Sequence, residues 1–561
     1  MPTKLARLIS VAKGELPADL LLSNAKVVNV FSGKIEAASV AIYKDRIAGV
    51  GDYTQAKQVL DLGGKYIAPG LINGHIHPES SMLDIGQYAR AVVPHGTTAL
   101  VTDLHEIANV CGLEGISYIL DCARLLPFNL FLMAPSCVPA TRLETSGAEL
   151  GPEEVRQILK LKECIGLGEV MNFPGVIGGD ETVLKKIGFA KDKIIDGHAP
   201  GVSGKNLSAY IAAGIYSDHE SISLNEAKEK LRQGMWVMLR EGSSEKNLEA
   251  LLPLVTNKTY QRCLLVVDDR SCLDLLKDGD IDGVVRKAIR LGLDPVRAIQ
   301  LATINAANYF RRDGLGAVAP GYMADLLVLG DLSELQIDMV FYRGQLVAKE
   351  GKPLFSTPEA AVKAPTNTVN IKPFTIEALR LPPSGETEPI IEIVPGQIIT
   401  RKRLEKMKAT KGAIMPDIGR DILKLVVVER HKASGNIGLG LVGGLGLKRG
   451  ALASSIAHDS HNIIAAGTND KDIITAIKKI EKLQGGLVAA ADGKILASLA
   501  LPVAGILSDE PLETVASKLE KLEKVAAELG TKLTSPFATL SFLALPVIPE
   551  IRLTDLGVVE V

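Results

Sequence analysis

The feature that most constrains this chain is a series of eight short apolar runs between about residues 67 and 320, alternating with segments of helical periodicity. Such alternation is typical of parallel βα units. Eight units in this space match the ~250 residues that a (β/α)8 barrel needs. The predicted strands end at or comprise, in chain order, His75 and His77, Ala99–Asp103, Leu130–Ala134, Ile165–Glu169, His198, His219, Trp236–Arg240 and Cys263–Asp268.

Several of these predicted strands end in a residue that can bind a metal ion. His75 and His77 are separated by one residue, and side chains at this spacing on a strand point to the same side. Strands four, five, six and eight end, in order, with Glu169, His198, His219 and Asp268. Functional residues of such barrels gather at the carboxyl ends of the strands. Because core packing hardly explains this repeated placement, the pattern predicts a metal site.

Segments on both sides of the predicted barrel alternate apolar and polar residues, as β-strands with tight turns do. We therefore predict a β-rich flanking domain formed by residues 1–66 and 321–370, and a barrel over residues 67–320. A Pro- and Thr-containing stretch, Lys352–Asn370, is typical of a domain boundary. A separate α+β domain is predicted over residues 376–561, since a length of 561 residues favours several domains.

Two segments of the predicted C-terminal domain have a clear pattern. Val426–Glu429 is strand-like, and Leu512–Leu529 has helical periodicity. The glycine-rich run Gly438–Gly446 lacks the Gly-Lys-Ser/Thr ending of a phosphate-binding loop, so we interpret it as tight backbone packing. His458 and His461 lie in an otherwise apolar stretch, where they either line the active site or form a structural polar turn.

Composition excludes several classes of partner. The net charge is −2 and aromatic residues make up 4%, which argues against nucleic acid as a partner. No uncharged apolar run is long enough for a membrane span, and the N-terminus lacks the apolar core of a signal peptide. The six cysteines show neither Cys-x-x-Cys spacing nor disulfide-scaffold density, so we expect reduced thiols and a cytoplasmic protein.

The motifs resemble those of the amidohydrolase superfamily and, within it, the bacterial-type adenine deaminases. The general marks are the segments 69–77 and 317–328, and the narrower marks are the segments 79–82, 103–109, 196–201, 219–221, 240–243, 268–270 and 458–462. The resemblance covers nearly the whole chain, including the C-terminal domain. Asn73 and Pro78 depart from the residues common in the family, but neither departure removes a ligand.

The resemblance implies hydrolytic deamination of adenine to hypoxanthine and ammonia, a purine-salvage reaction, by attack of a metal-bound hydroxide on C6. A binuclear divalent centre is expected, with Mn²⁺ or Fe²⁺ favoured and Zn²⁺ as the alternative. His75 and His77 would hold one metal with Asp268, and His198 and His219 would hold the second. Glu169 would bridge the two metals, where many relatives use a carboxylated lysine. We also expect a homo-oligomer.

The remaining candidates keep alternative roles. Asp268 would also transfer the proton of the attacking water. Asp269 would contact a purine nitrogen or pair with Arg270. The residues that would contact the substrate or orient a ligand are Glu79, His105, Glu106, Arg240, Glu241, His458 and His461. For Arg240 and Glu241 the other interpretation is a buried ion pair, and His105 stands at an unusual strand for a ligand.

Three other functions compete with this interpretation. A cyclic-amide hydrolase on the same barrel would favour Lys at position 169 and would not explain the C-terminal domain. A cytidine-deaminase-type zinc enzyme would share His77-Pro-Glu79 but needs a Pro-Cys-x-x-Cys segment, which is absent. A binding scaffold on an inactive barrel would have no need for all the metal positions, and it would bind no stoichiometric transition metal.

Overall fold

The structure is a computed structural model that describes residues 3–357 and 362–561. Helix α1 (Lys4–Ala12) begins after Thr3, whose side chain accepts a hydrogen bond from Ala6 N. Five strands follow: β1 (Ala18–Asn29), β2 (Lys34–Tyr43), β3 (Arg46–Gly51), β4 (Ala56–Asp61) and β5 (Tyr66–Pro69). The predicted boundary stretch, Lys352–Asn370, lies partly outside the described residues.

The next region contains short parallel strands at all eight predicted positions. They are β6 (Leu71–Asn73), β7 (Ile76–His77), β8 (Thr97–Thr102), β9 (Asn129–Pro135), β10 (Cys164–Val170), β11 (Ile194–Gly197), β12 (Ser217–Asp218), β13 (Trp236–Arg240), β14 (Cys263–Val266) and β15 (Asp268–Asp269). Strands β6, β8, β9, β10 and β11 form one parallel set, and β12, β13 and β14 form another. β15 pairs with β7, so the eighth position adjoins the first.

Helices alternate with these strands, as predicted. They are α2 (Ile85–Val92), α3 (His105–Ala123), α4 (Pro152–Ile158), α5 (Phe173–Gly178), α6 (Glu181–Phe189), α7 (Gly204–Ala212), α8 (Leu224–Arg232), α9 (Leu248–Leu251), α10 (Cys272–Asp278), α11 (Ile281–Arg290), α12 (Pro295–Leu301) and α13 (Ile304–Tyr309). Every residue of β8 and β10 is buried, because parallel strands are covered on both faces.

Four later strands return to the first sheet: β16 (Leu326–Asp331), β17 (Gln336–Tyr342), β18 (Gln345–Lys349) and β19 (Lys352–Pro353). β16 pairs antiparallel with β5, so the two flanks of the parallel strands share one nine-stranded sheet. Both flanks of the parallel strands therefore contribute strands to this sheet.

The C-terminal region contains an eight-stranded mixed sheet. Its strands, two short hairpins and three helices are β20 (Glu388–Ile393), β21 (Thr400–Glu405), β22 (Ala409–Thr410), β23 (Ala413–Ile414), β24 (Ile422–Val428), β25 (Ile437–Gly443), β26 (Ala451–Ser454), β27 (Ile463–Gly467), α14 (Asp470–Leu483), β28 (Gly486–Ala491), β29 (Lys494–Ala500), α15 (Leu512–Leu529), α16 (Pro536–Phe542), β30 (Ile551–Thr554) and β31 (Gly557–Glu560). The predicted helix Leu512–Leu529 is confirmed.

Close backbone packing explains the glycine-rich run of this region. A Cβ atom on Gly438, within β25, would lie 1.8 Å from the carbonyl oxygen of Thr554. No other residue fits there without moving either β25 or the segment that contains Thr554. The interpretation as a packing element, rather than a phosphate loop, is consistent with this contact.

The C-terminal region is joined to the loops that follow the first and third parallel strands. Ser508 N donates to Met82 O at 2.8 Å, and Asp84 N donates to Ser508 O at 2.8 Å. Asn462 Nδ2 donates to Thr145 O, also at 2.8 Å. These bonds place the segment that contains His458 and His461 over the carboxyl ends of the strands.

All six cysteines are free thiols, as expected, and four of them are buried. Within residues 3–357 and 362–561, no helix combines the length and apolar character needed to cross a membrane.

Candidate metal centre and active site

Six side chains at the carboxyl ends of the parallel strands form what we call the cation cluster: His75, His77, Glu169, His198, His219 and Asp268. All are buried except His198, which is partly buried. Gly74 lets the chain pass close to the strand at the eighth position, since a Cβ there would lie 2.8 Å from Leu264 Cδ1. The structure thus brings together every residue that the sequence predicted as a metal ligand.

One half of the cation cluster is built from the first and eighth strand positions. His75 Nε2 and His77 Nε2 each lie 3.4 Å from Asp268 Oδ1. His77 Nε2 also lies 3.5 Å from Glu169 Oε1. Asp268 has a positive φ of 70°, which directs its carboxylate back toward the histidines; among non-glycine residues, Asp and Asn adopt this conformation most readily.

The other half of the cation cluster is built around the second oxygen of the same glutamate. Glu169 Oε2 lies 2.6 Å from His198 Nδ1 and 2.8 Å from His219 Nε2. The two imidazole nitrogens are 3.3 Å apart. Glu169 therefore faces one group of donors with each of its oxygens, which is the geometry of a bridging carboxylate.

This donor set fits divalent cations. Metal–ligand bonds of about 2.0–2.2 Å place tetrahedral ligand atoms about 3.4 Å apart, close to the separations in the first half of the cluster. His75 Nε2 is buried without a hydrogen-bond partner in the described residues, and a buried polar atom of this kind usually has one. Imidazole and carboxylate ligands together suit Mn, Fe and Zn.

Neighbouring cationic side chains keep both carboxylates of the cluster ionised. Burial raises the pKa of Glu169, but His198 and His219 outweigh it and hold that pKa well below its usual range. Burial likewise opposes the ionised form of Asp268, but Arg240, His75 and His77 hold the pKa of Asp268 well below its usual range. Both carboxyl groups are therefore ionised at neutral pH and available as ligands.

Carboxylates behind the cluster orient its imidazoles. Asp103 Oδ1 lies 3.3 Å from His77 Nδ1 and 2.9 Å from His105 Nδ1, while Asp103 Oδ2 accepts a hydrogen bond from Glu169 N at 3.0 Å. Asp196 Oδ2 lies 3.8 Å from His75 Nδ1. His105 thus contacts Asp103 rather than the converging donor atoms of the cation cluster.

Arg240 links both halves of the site. It pairs with both oxygens of Glu220, and its Nη1 lies 2.6 Å from Asp268 Oδ2. Glu220 Oε1 in turn lies 3.6 Å from His198 Nδ1 and 3.5 Å from His219 Nε2. A bidentate Arg–carboxylate pair is rigid as well as strong, so it fixes Asp268 and Glu220 beside the histidines.

A cavity of about 250 Å³ has walls from both the parallel-strand region and the C-terminal region. Glu79 and Asp269, which follow His77 and Asp268 closely along the chain, line it, whereas the six residues of the cation cluster do not. The polar wall of the cavity includes Glu79, Glu106, Asp269, His458 and His461. Burial raises the pKa of Glu79 to about 7, and burial together with neighbouring Asp268 raises the pKa of Asp269. Both groups are therefore more easily protonated than ordinary carboxylates.

Glu106, His458 and His461 form what we call the wall cluster. Glu106 Oε1 lies 2.8 Å from His458 Nδ1, and Glu106 Oε2 pairs closely with His461 Nε2. These contacts join the start of α3 to the C-terminal region at the edge of the cavity. The two C-terminal histidines thus lie where one of the two sequence interpretations expected them.

Some sequence candidates lie elsewhere, and some site residues were not foreseen. Glu241 pairs with Lys287 at 2.6 Å and does not line the cavity. Asp269 accepts a hydrogen bond from Ser80 rather than pairing with Arg270, whose Nε donates to Gly279 O. Four carboxylates near the site were missed: Asp103, Asp196 and Glu220, which are buried, and Glu245, which is partly buried.

Comparisons with known proteins assign the chain to a family. The family described as "Amidohydrolase family" matches residues 66–347, and "Adenine deaminase C-terminal domain" matches residues 397–561. The fold and the site thus define a metal-dependent hydrolase. The chain belongs to the amidohydrolase family and, within it, to the adenine deaminases.

Three relatives support that membership. A protein named adenine deaminase from Dehalococcoides mccartyi is 62% identical over 100% of this chain and 98% of its own length. "Adenine deaminase 2" of Carboxydothermus hydrogenoformans is 49% identical over 99% of this chain and 97% of its own. An adenine deaminase of Clostridium acetobutylicum is 45% identical over 99% and 98%. Among solved structures, a β-aspartyl dipeptidase from Fervidobacterium islandicum AW-1 has a TM-score of 0.46 and 18% identity over 60% of this chain and 98% of its own, which adds nothing to the assignment.

Proposed function

We propose that this protein hydrolyses adenine to hypoxanthine and ammonia. The observation that carries the proposal is the cation cluster: one carboxylate, Glu169, faces two groups of imidazole and carboxylate donors beside a cavity. Full-length relatives named adenine deaminase supply the substrate class.

The reaction forms a bond from C6 to a water oxygen and breaks the bond from C6 to the exocyclic nitrogen. Divalent cations bound at the cluster would lower the pKa of water toward neutrality. His75, His77, Glu169 and Asp268 would hold one cation, and Glu169, His198 and His219 the other. The family resemblance favours Mn²⁺ or Fe²⁺, with Zn²⁺ as the alternative, and all three accept the imidazole and carboxylate ligands of the cluster.

Asp268 accepts the proton of the attacking water at its carboxylate and transfers it to the leaving nitrogen. Its position supports this role, since Oδ1 faces the histidines of the cluster and Oδ2 is held by Arg240 at 2.6 Å. A general base needs an ionised carboxylate within reach of the reacting water. Asp269, whose pKa is raised by burial, exchanges a proton or a hydrogen bond with a ring nitrogen.

The other polar groups have supporting roles. Asp103 orients His77, while Arg240 and Glu220 orient Asp268 and the second pair of histidines. Such supporting contacts fix the ligands before the substrate arrives. Glu79, beside the cavity, contacts the base or its product.

The eight parallel strand positions form a closed (β/α)8 barrel in this proposal, flanked by the shared β-sheet and capped by the C-terminal domain. The pairing of β15 with β7 supports closure between the last and first positions. The expected homo-oligomer and cytoplasmic location stay predictions, which native mass measurement and cell fractionation would test.

The deciding experiment is a substrate panel. Purified protein loaded with Mn²⁺ is incubated with adenine, adenosine, guanine, cytosine and dihydroorotate, and ammonia and the organic product are measured. We expect one ammonia for each hypoxanthine from adenine, and much slower reaction of adenosine. Equal turnover of adenosine, or ring opening of dihydroorotate without adenine turnover, would refute the proposed function.

A further inference from the structure

One imidazole on the cavity wall is not explained by cation binding. His458 lines the cavity, and its Nδ1 lies 2.8 Å from Glu106 Oε1 and 3.7 Å from Asp459 Oδ1. The ring of Phe542 stacks on the imidazole at 4.6 Å between centroids, with 18° between the planes. These contacts occupy Nδ1 and one face of the ring, which leaves Nε2 as the nitrogen available to a ligand.

The segment that carries His458 is fixed from several sides. Arg430, fully buried, donates from Nε to His461 O and from Nη2 to Ala504 O at 3.2 Å. His431 Nε2 lies 2.7 Å from Ser460 O. Because the loop is held by buried polar contacts, the imidazole is positioned before a ligand enters, which lowers the entropic cost of binding.

His458 and His461 are the two imidazoles of this wall, and Nε2 of His461 is already paired with Glu106, whereas Nε2 of His458 is not. Glu79, Glu106 and Asp269 are carboxyl groups, which accept hydrogen bonds when ionised. Several hydroxyl protons are already used, since Ser80 donates to Asp269, Ser243 to Asp274 and Ser541 to Ala538 O. Burial lowers the pKa of His458, but Glu106, Asp269 and Asp459 outweigh this and raise it to about 9.

The chemistry of the base complements this arrangement. Adenine is flat and carries ring nitrogens that accept hydrogen bonds, and a cavity with apolar walls such as Phe537, Phe542 and Leu519 suits a flat ring. A charged donor buried against such a ring makes a stronger hydrogen bond than a neutral one.

We propose that His458 contacts the substrate, donating a hydrogen bond from Nε2 to a ring nitrogen of the base, and that Glu106 is the residue that positions it. This inference rests on the proposed function and deepens it, because it assigns recognition of the ring to the C-terminal domain. The contacted nitrogen is N3 or N7 in this arrangement, since C6 and N1 face the cation cluster.

The experiment compares competitive inhibitors of adenine deamination that differ in one ring atom. Inhibition constants are measured for purine, 3-deazapurine and 7-deazapurine, where the deaza compounds have C–H in place of one ring nitrogen. In the parental enzyme, one deazapurine should bind about 10- to 100-fold more weakly than purine, because a hydrogen bond to a charged donor is lost. In His458→Leu, this ratio should fall to about one.

Two further variants keep the test sharp. His458→Asn guards against the case in which Leu disturbs the loop. Its amide is too short to reach the base, so the ratio of inhibition constants should again fall to about one. Glu106→Gln should lower the ratio because the imidazole loses its carboxylate partner. His95→Asn is the matched control: His95 Nδ1 lies 2.9 Å from Asp282 Oδ2, a similar pair that does not line the cavity, and the ratio should be unchanged.

The outcomes separate the two proposals. If the parental enzyme releases no ammonia from adenine, the proposed function fails. If it deaminates adenine, but both His458 variants leave the deazapurine ratios unchanged or weaken all inhibitors equally, the contact from His458 is refuted while the function stands. A ratio that collapses only in the His458 and Glu106 variants supports the contact.

Discussion

Two clusters of histidine and carboxylate lie on either side of His105, which contacts His77 in one and Glu106 in the other, and they are arranged for different tasks. In the cation cluster, His75 Nε2 is buried without a hydrogen bond, and its nearest carboxylate oxygen, on Asp268, lies 3.4 Å away. In the wall cluster, one carboxylate, Glu106, lies directly between His458 and His461. Spacing separates only the first half of the cation cluster from the wall cluster, because Glu169 Oε2 lies 2.6 Å from His198 Nδ1 and 2.8 Å from His219 Nε2, as close as Glu106 lies to His458. The clearer difference is the number of side chains that converge: six in the cation cluster and three in the wall cluster.

The largest expected effect on kcat comes from Asp268→Asn, which changes a residue of the cation cluster. Asn keeps the shape and tolerates the positive φ of 70° at this position, so the fold should survive. A ligand and the general base are lost together, and we expect kcat to fall by about 10³-fold or more. Steady-state kinetics with hypoxanthine detection measures this loss. Asp269→Asn is the control and should cost distinctly less, because Asp269 lies outside the proposed ligand set; an equal loss would argue against the assigned roles.

Asp103→Asn should weaken the cation cluster without removing a ligand. Asp103 faces His77 Nδ1 at 3.3 Å, and loss of such an orienting carboxylate typically lowers metal affinity by about 10- to 100-fold. Competition with a metal-binding dye measures the affinity. Asp121→Asn is the control. Asp121 lies on α3 and pairs with Arg124, so its replacement should leave the metal affinity unchanged. If the Asp103 variant binds metal with the parental affinity, Asp103 does not orient a metal ligand.

His461→Ala removes a side chain of the wall cluster and should distinguish the role of this cluster from that of the cation cluster. Glu106 loses one of its three neighbouring imidazoles, so the loop next to His458 loses its side-chain contact with α3, while the bond from Arg430 to the backbone oxygen of residue 461 remains. We expect turnover to fall by about tenfold, in the range typical of lost orienting contacts, with metal content unchanged. Elemental analysis and kinetics on the same preparation decide this. If the variant loses metal in proportion to its activity, His461 supports metal binding and the wall cluster has no separate role.

The smallest expected effect concerns a histidine–carboxylate pair remote from both clusters. Burial lowers the pKa of His95, but Asp282 outweighs this and raises it above the ordinary value of 6.5. A histidine with a raised folded pKa stabilises the protein fully below about pH 6.5, and this contribution is lost as the pH rises through the raised value. Because the side chain is 39% exposed, the contribution should not exceed about 1 kcal/mol.

Denaturant unfolding of the parental protein and His95→Asn at pH 6 and pH 9 checks this. The variant should be less stable at pH 6, and the difference should shrink at pH 9. A difference that grows with pH would have the wrong sign and would assign the role of His95 to packing instead.

The sequence predicted the strand positions and the cation cluster because both leave local signals. Trp236–Arg240 is a continuous apolar run that ends in a charge, and it matches β13 residue for residue. β12 and β15 contain only two residues each, so their extent was not predictable from propensity, although the His and Asp residues at their ends were.

The residues that were missed have no such signal. Glu220 follows His219 directly, and neighbouring residues on a strand point to opposite sides, so a contact with the same imidazole was not expected. The chain leaves the strand after Asp218, which turns Glu220 toward Arg240 and the two histidines. Glu245 lies in a loop, and only tertiary packing brings it beside Asp269. Glu241 fits the second of its two interpretations, an ion pair, with a partner, Lys287, that lies 46 positions away on α11.

The most direct test of the account is the metal content of Glu169→Gln. Glu169 faces both groups of donors, so replacing it with a neutral amide should weaken both sites. Elemental analysis of Mn²⁺-loaded protein should give two metals per chain in the parental enzyme and one or fewer in the variant, with turnover falling in parallel. Glu163→Gln is the control. Glu163 lies just before the same strand and pairs with Arg124, so this variant should keep two metals and full activity. Two metals and parental turnover in Glu169→Gln would contradict the bridged binuclear centre.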